Sequence, residues 1–499
     1  MEHEIANPDP AGTIESLGSL GYTPEAAIAD LVDNSISADA RNVWIHLHWA
    51  GAEESTVAVV DDGHGMSEAE LIRGMTIGAR GVGATRSSQD LGRFGVGLKT
   101  ASFSQCRQLV VSTRPPHGQW STRTWDLDLV LRSGEWRLLK GYPGEVESQL
   151  AELAGSMPHG TIVVWRRLRR LVAAGSQPAD EWAQREFYGA VNSVERHLSM
   201  TFGRYFTRKH LPLRIWLNGQ HALDAWDPFC SIHPFVQRLP SESLPVEGTT
   251  VEVTPWVLPH RSRFDERSYE AAGGPRGWLE QQGFYIHRNE RLIVAGEWLG
   301  LGFRKDDRHV LARISVDVPT ALDSAWSVDV KKSTASPPPA LVTPFRRIAK
   351  ATRERASNVM THRGKVAAGT RSQDFIYAWQ PVRKYGLTSY RINRNHPLVR
   401  EALSVAPESR STVTALLRLV EETLPIGLIR AVHASEAERE PEPFEGATPE
   451  EVLVVARQIF EALVHQGTPP REAARRLQLM PPFNEYPDLL RELGVSDLV

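Results

Sequence analysis

The chain reads as an α+β protein, and three observations predict this. An apolar 3.6-residue periodicity opens at position 24. Several β-branched or alternating runs follow within the first ~170 residues. The intervals between those runs suit hairpin-like connections rather than one regular helical crossover per strand, so the expected arrangement is an α/β sandwich. Thr23-Pro24-Glu25 supplies an N-cap, a proline at the first helical position and an acid that suits the helix dipole. Ala27, Ile28, Leu31 and Val32 recur at helical spacing, which predicts a helix over 24–36. Val43-Trp-Ile-His-Leu-His-Trp49 alternates apolar and polar, as a half-buried strand does. Thr56–Val60 is a β-branched strand that runs into Asp61, and Leu109–Thr113 and Thr161–Trp165 add two more.

A second region, 173–340, contains the strand runs Leu213–Leu217 and Gly283–His287 and ends at Pro337-Pro-Pro339. Residues 341–434 read as a basic, mostly helical region. From Arg346 to Arg400 it carries about a dozen Lys/Arg against two acids. Phe375, Tyr377, Trp379, Tyr385 and Tyr390 are interleaved with those charges. Such a mixture suits contact with a nucleic-acid backbone and its bases, and equally an amphipathic stalk with aromatic core positions. Residues 435–447, rich in Glu and Pro, read as an exposed linker. Thr448-Pro-Glu-Glu451 opens a small helical module, 448–499, with capping-box residues.

The chain has 499 residues, 41% hydrophobic and 23% charged, with a formal net charge of −3. It is long enough for several domains and is not a polycation, so nucleic-acid contact would have to come from local patches. Cys106 and Cys230 alone cannot build a disulfide framework or a zinc site. The N-terminus lacks a secretory pattern, and no apolar run approaches the roughly 18 residues of a membrane span. The expected location is the cytoplasm, with no membrane partner.

Three short segments carry the chemistry. Asp30 and Asn34 are four residues apart, one turn of a helix, and so share a face. Two polar residues on a helix are usually only a solvated surface. Here Asn34 could offer a neutral oxygen to a hard cation, and Asp30 could orient or deprotonate a water beside it. Asp33 lies off that face. Asp61 ends a strand and enters Asp-Gly-His-Gly, where Gly63 and Gly65 permit close approach of a ligand and Met66 offers an apolar contact. A buried carboxylate there would accept from an exocyclic amine. Gly92-Arg-Phe94-Gly95-Val96-Gly97-Leu98-Lys99 precedes Thr100-Ala-Ser-Phe, the expected start of a helix. A glycine-rich loop at a helix N-terminus binds phosphates through backbone amides. Leu98 separates the last glycine from Lys99, which is not the Walker spacing.

Taken in this order, the three segments resemble the ATP site of the GHKL superfamily, which includes gyrase B, the heat-shock chaperone ATPases, MutL and MORC. The resemblance covers roughly residues 10–335. It implies a Bergerat-type fold over 1–172, with ATP and Mg2+ as the bound species. Asp30 would be the general base, Asn34 the magnesium ligand and Asp61 the adenine contact, supported by Gly160-Thr161. The Thr76–Gly78 segment through to Gly92, with Arg80, Arg86 and Arg93, would form a lid. Histidine kinases share parts of this site but carry a phosphoacceptor hairpin upstream, and with 22 residues ahead of the first motif helix a histidine kinase is not the expectation.

Phe284-Tyr-Ile-His-Arg-Asn-Glu-Arg-Leu-Ile293 is similar to the Tyr-x-x-Arg-Asn-x-Arg-Leu-Ile stretch of MORC-type proteins. By that resemblance, 173–340 is a transducer domain (ribosomal S5-like) and Trp326–Ser333 carries the lysine that senses the γ-phosphate, either Lys331 or Lys332. The resemblance further implies an ATP-dependent homodimer that closes as a clamp. DNA is the expected object, and other defence or repair proteins are expected partners. One position departs from the pattern: the usual base is Glu, and here it is Asp30. One methylene less withdraws the carboxylate by roughly 1.5 Å, and a misplacement of about 1 Å can cost about 100-fold in rate. Slow hydrolysis, or an ATP-binding scaffold that scarcely hydrolyses, is therefore the main alternative, and a protein chaperone ATPase is the third.

Overall fold

The computed structural model describes residues 8–19, 21–78, 97–142, 144–155, 157–219, 221–322, 326–328, 335–361, 378–384, 387–404, 407–424, 444, 448–480 and 483. Two compact units are present, Met1–Met360 and Thr361–Val499.

In the first unit the early strands are β1 (Asn42–His48), β2 (Thr56–Asp61), β3 (Cys106–Arg114), β4 (Ser121–Asp126), β5 (Leu138–Lys140), β6 (Gly160–Leu168), β7 (Arg214–Leu217) and β8 (His221–Ala222). Among the described residues they form one sheet in the order β5-β4-β3-β6-β2-β1-β7-β8. The neighbours are antiparallel except β1 and β7, which run parallel. The alternation in β1 decides its faces. Val43, Ile45 and Leu47 point into the main core with Ala27, Ile28, Leu31 and Val32 of helix Pro24–Ser37, while Trp44 joins a smaller cluster on the other face. That smaller cluster packs Val146 and Leu150 against Ala58, Val60, Val110, Ile162 and Val164. Central strand β2 is therefore covered on both sides and buried along its whole length. The result is an α+β sandwich of antiparallel-rich sheet and helices.

The layer built on this sheet runs past 172, where the sequence suggested a boundary. Helix Glu181–Thr201 contributes Phe187, Val191, Val194 and Leu198 to the main core, and β7 and β8 extend the sheet as far as Ala222. The reason is physical: the edge of β1 is closed by β7, a pairing between strands far apart in the sequence.

The second sheet of the same unit contains β9 (Gln237–Arg238), β10 (Glu242–Val246), β11 (Thr249–Val257), β12 (Gly283–Arg288), β13 (Arg291–Glu297) and β14 (Ala312–Val318). Its order is β10-β11-β14-β12-β13, with β9 also pairing with β11. Strands β12 and β14 are parallel, and β12 and β13 form a hairpin. Helix Pro339–Thr361 buries Leu341, Phe345 and Ile348 in this core, with Phe345 stacked on Phe284 at 5.0 Å between ring centroids. Its first twenty-odd residues thus serve the second sheet and not a separate basic region. Short strands β15 (Ser327–Val328) and β16 (Ala335–Ser336) pair antiparallel.

Among the described residues, the second unit departs from the mostly helical expectation at one place. An antiparallel hairpin, β17 (Trp379–Lys384) and β18 (Leu387–Ile392), interrupts the helices. The run Leu-Thr-Ser-Tyr-Arg-Ile has the β-branched and aromatic content of a strand, which a reading by net charge passed over. Helices Pro397–Ser404, Pro407–Glu422, Pro449–His465 and Pro470–Leu479 follow. The Thr448/Glu451 capping box forms as the sequence predicts. Part of the basic segment's charge is paired within the fold. Arg347 pairs with Glu242 and Arg353 with Asp306, while Arg391 and Arg394 both pair with Glu421.

Candidate functional site

Helix Pro24–Ser37 positions most of the site. Thr23 caps it by accepting from the Ala26 amide at 3.4 Å, and Pro24 occupies the first turn. Asp30 is 4% exposed, and its Oδ2 accepts from the Tyr22 hydroxyl at 2.9 Å. Asn34, one turn on, is exposed. Between them Asp33 is buried, and Ser35 turns the other way, where its Oγ donates to Asp61 Oδ2 at 2.9 Å.

Asp61 ends β2, and its Cα is in register with that of Thr161 on β6. The Gly63 amide donates to its Oδ1 at 3.0 Å. Burial pushes the Asp61 carboxyl up to about 6. The hydrogen bonds from Ser35, Gly63 and the Thr161 backbone oppose this rise, and the neighbouring Asp62 adds to it. The turn beyond depends on two glycines. Gly65 has φ +62°, and a Cβ there would lie 2.1 Å from the Arg114 carbonyl oxygen. Gly160 has φ +141°, and a Cβ there would lie 2.1 Å from the Asp61 carbonyl oxygen. A side chain at Gly160 would push β2 and β6 apart at the carboxylate, and one at Gly65 would run into the end of β3. Thr113 ties the two turns together: its Oγ1 accepts from the Met66 amide at 3.0 Å, donates to the Gly160 carbonyl at 3.0 Å and lies 3.1 Å from Thr161 Oγ1. Met66 is partly buried against the main core.

The helix expected to start at Thr100 starts at Gly97 and runs to Gln105. A Cβ on Gly97 would come 3.7 Å from Asp30 Oδ2, so the first turn of this helix abuts the acid. First-turn amides lack intrahelical partners and favour anions. Leu98 packs partly against the main core, and Thr100 Oγ1 donates to the Gly97 carbonyl at 3.2 Å. Lys99 is 4% exposed and donates from Nζ to the Gly74 carbonyl at 2.7 Å, in the last turn of helix Glu68–Met75. Burial lowers its pKa to about 8. Gly92, Phe94, Gly95 and Val96, the lid arginines Arg80, Arg86 and Arg93, and both Lys331 and Lys332 lie outside the described residues.

Arg291, the first residue of β13, enters this site from the second sheet. Its Nε donates to Asp33 Oδ1 at 2.7 Å and Oδ2 at 2.8 Å, Nη1 donates to the Leu292 carbonyl at 3.0 Å, and Nη2 lies 3.8 Å from Asp30 Oδ1. Burial works against the guanidinium's charge, but Asp33 and then Asp30 more than offset it and raise its pKa. Nearby His197 is pushed down to about 4 by burial, with Arg291 and Arg276 adding to the shift, so it stays neutral at physiological pH. Sequence reasoning missed Tyr22, Ser35, Thr113 and Arg291 as parts of the site and ranked Asp33, off the shared face, below Asp30. Only Arg291 had a signal, its place in the Arg288-Asn289-x-Arg291 stretch.

Magnesium suits this donor set. Asn34 offers an exposed neutral oxygen, and no group of three or more His, Cys, Asp or Glu that could hold a metal occurs among the described residues. An ion there would be held mostly by phosphate oxygens and water, as magnesium on nucleotides usually is. Elsewhere, a cleft of about 650 Å³ lies on the opposite face of the first sheet, lined by Trp44, His46, His48, Gln149, Glu152 and Arg166 among others. It shares no residue with the site around Asp61.

Residues 22–161 match the family described as "Histidine kinase-, DNA gyrase B-, and HSP90-like ATPase". The chain is also similar to "ATPase morc-1" of Caenorhabditis elegans, 36% identical over 92 residues. That alignment covers 18% of this chain and 10% of the relative's length.

Proposed function

We propose that this GHKL-type, MORC-like ATPase works as a nucleotide-gated clamp that closes on ATP and reopens on hydrolysis. The observation that carries the reading is the joint geometry of Asp61 and helix Pro24–Ser37. At adjacent positions of that helix Ser35 donates to the buried Asp61 carboxylate and Asn34 is exposed, with Asp30 one turn back, which supports a nucleotide laid along it.

In this reading Asp61 accepts from the adenine amine, flanked by Gly63, Gly65, Met66 and Thr161. Gly92–Thr100 supplies amides to the phosphates, and Asn34 would hold magnesium, which would offset phosphate charge. Asp30 takes a proton from a water as its oxygen attacks the γ-phosphorus and the bond to the β–γ bridging oxygen breaks. Lys331 or Lys332 contacts the γ-phosphate, and two protomers close. The assignments of 1–172 to nucleotide binding and 173–340 to transduction belong to this proposal.

DNA is the proposed object, from the transducer resemblance and the basic segment. With Arg347, Arg353, Arg391 and Arg394 committed to internal ion pairs, the DNA contact falls mainly to other residues of that segment, such as Arg363, Lys365 and Arg371. A defence or repair setting is part of the same proposal. Among the described residues no helix is long and apolar enough to cross a membrane.

ATP turnover of the full chain, with and without DNA, is the primary test, read alongside oligomeric state with a non-hydrolysable ATP analogue. DNA-stimulated turnover and analogue-dependent dimerisation are the expected results. A monomer under all conditions would refute the clamp. The second reading, a switch that binds ATP and scarcely hydrolyses it, is favoured by Asp30 itself: its carboxylate is one methylene short and is held by Tyr22. Tight ATP binding with negligible turnover would decide for the switch.

A further inference from the structure

We propose that Arg291 is a positioning residue for hydrolysis, through which the β12–β13 hairpin sets the Asp30 carboxylate. This rests on the reading of Asp30 as base. The hairpin makes its turn with Asn289 and Glu290, at φ +47° and +66°. A two-residue turn with both φ values positive is usually made with Gly or Asn, and a Glu there is strained. The strained tip is held from outside. Tyr205 donates its hydroxyl to the Asn289 carbonyl at 2.5 Å, and Arg208 pairs with Glu290 while lying 4.0 Å over the Tyr205 ring. The next residue is Arg291, which reaches Asp33 with two hydrogen bonds and stands beside Asp30.

The consequence is a short mechanical path. Asp30 and Asp33 sit three residues apart on one helix, and a single buried guanidinium from the second sheet touches both. Asp30 Oδ2 is fixed by Tyr22, and Oδ1 faces Arg291. Moving the hairpin tip by one side-chain length withdraws Arg291 from both acids. The carboxylate then keeps its place in the sequence and loses its orientation. Hydrolysis is thereby conditional on the hairpin being seated on Tyr205, and ATP binding at Asp61 is not.

The test uses the full chain and measures kcat, KM, the affinity of a fluorescent ATP analogue and the thermal midpoint. Arg291→Met alone leaves the buried Asp33 carboxylate without the guanidinium's charge, so it is paired with Asp33→Leu, which removes both charges. The doublet is expected to keep its midpoint and to bind the analogue within about threefold of wild type, while kcat falls at least about tenfold. A kcat within threefold of wild type overturns the proposal. Arg291→Lys keeps the charge but loses the planar group whose Nε serves both Asp33 oxygens while Nη2 stands beside Asp30. It is expected to lower kcat without changing analogue affinity, and a wild-type kcat overturns the proposal even where the doublet misfolds. Asp30→Asn separates the two claims. If it retains wild-type turnover, the base assignment falls regardless of Arg291. If it is inactive while the doublet and Arg291→Lys turn over normally, only the Arg291 proposal falls. Adding Arg291→Lys to the residual activity of Asp30→Asn should cause no further loss, and multiplicative losses would show that Arg291 acts elsewhere.

Discussion

Replacing Asp61 with Asn should stabilise the protein at neutral pH and destabilise it in acid, while ATP binding weakens. The carboxyl's ordinary value is 3.8, and burial raises it to about 6 in the folded chain. The folded state therefore binds its proton more tightly than the unfolded state does, and stability falls as pH rises from about 4 to about 6. The full penalty is present above about 6, and the gap corresponds to about 3 kcal/mol. Asn carries no charge and escapes that penalty. It loses instead one acceptor where Ser35 and the Gly63 amide both donate, and its NH2 faces a donor. One such mismatch costs about 1–2 kcal/mol. The variant is thus expected to be more stable than wild type by about 1–2 kcal/mol at pH 7.5 and less stable by a similar amount at pH 4. Thermal midpoints of both proteins across this range read the crossing directly. ATP affinity at pH 7.5 should fall about 10- to 150-fold, the value of a hydrogen bond to a charged acceptor. In wild type the affinity should weaken as pH drops below about 6, when Asp61 protonates. A midpoint difference that does not change with pH, together with unaltered ATP affinity, would refute both the burial argument and the adenine assignment.

Three further outcomes follow from the same geometry. Asp30→Asn should lower ATP turnover at least about 100-fold with analogue affinity kept, measured by phosphate release; unchanged turnover excludes Asp30 as base. Gly65→Ala should cost more than about 2 kcal/mol, because it combines a left-handed φ with a Cβ set against the Arg114 carbonyl, and a midpoint like that of wild type would contradict the turn geometry. Asp33→Ala should cost about 3 kcal/mol by taking from buried Arg291 its hydrogen-bonded carboxylate and leaving Asp30 beside it at 3.8 Å; denaturant unfolding monitored by tryptophan fluorescence checks it, and a loss below about 1 kcal/mol would mean that Asp30 or water takes over the guanidinium.

The parts of this fold that were legible in the sequence are those governed by local pattern. Helix Pro24–Ser37 could be read from its cap and its apolar spacing, and β1 from its alternation, each to within a residue or so. Strand β6 could be located but not bounded: the apolar run Thr161–Trp165 is the part covered on both faces, while the strand continues through Arg166 and Arg167, whose polarity disguised it. The start of helix Gly97–Gln105 was misplaced because Gly97 and Leu98 read as the end of a loop, and their helical state depends on neighbours such as Asp30. The extent of the first layer was not legible at all. It depends on β7 closing the edge of β1, a parallel pairing that spans some 170 residues of chain, and no local pattern encodes that partner.

Asp33 shows why proximity to a motif is a poor guide to function. On a helix, successive residues turn by about 100°, so relative to Asp30 at zero Asn34 lies about 40° away, Asp33 about 60° to the other side and Ser35 about 140° round. The three consecutive residues after Val32 therefore meet three different surroundings: buried charge, open site and the Asp61 carboxylate. The sequence ranked Asp33 below Asp30 because it sat off the shared face, and that angular argument is sound. What it lacked was the partner. A buried carboxylate needs compensating charge, and here the compensation arrives from Arg291, 258 positions later. The same pairing makes Asp33 the point where the second sheet holds the nucleotide helix, and a change in how that sheet seats is felt at Asp30 before it is felt at Asp61. Under the proposed function, nucleotide retention and nucleotide hydrolysis would then respond to different parts of the chain, as a clamp that must stay loaded while waiting to close requires.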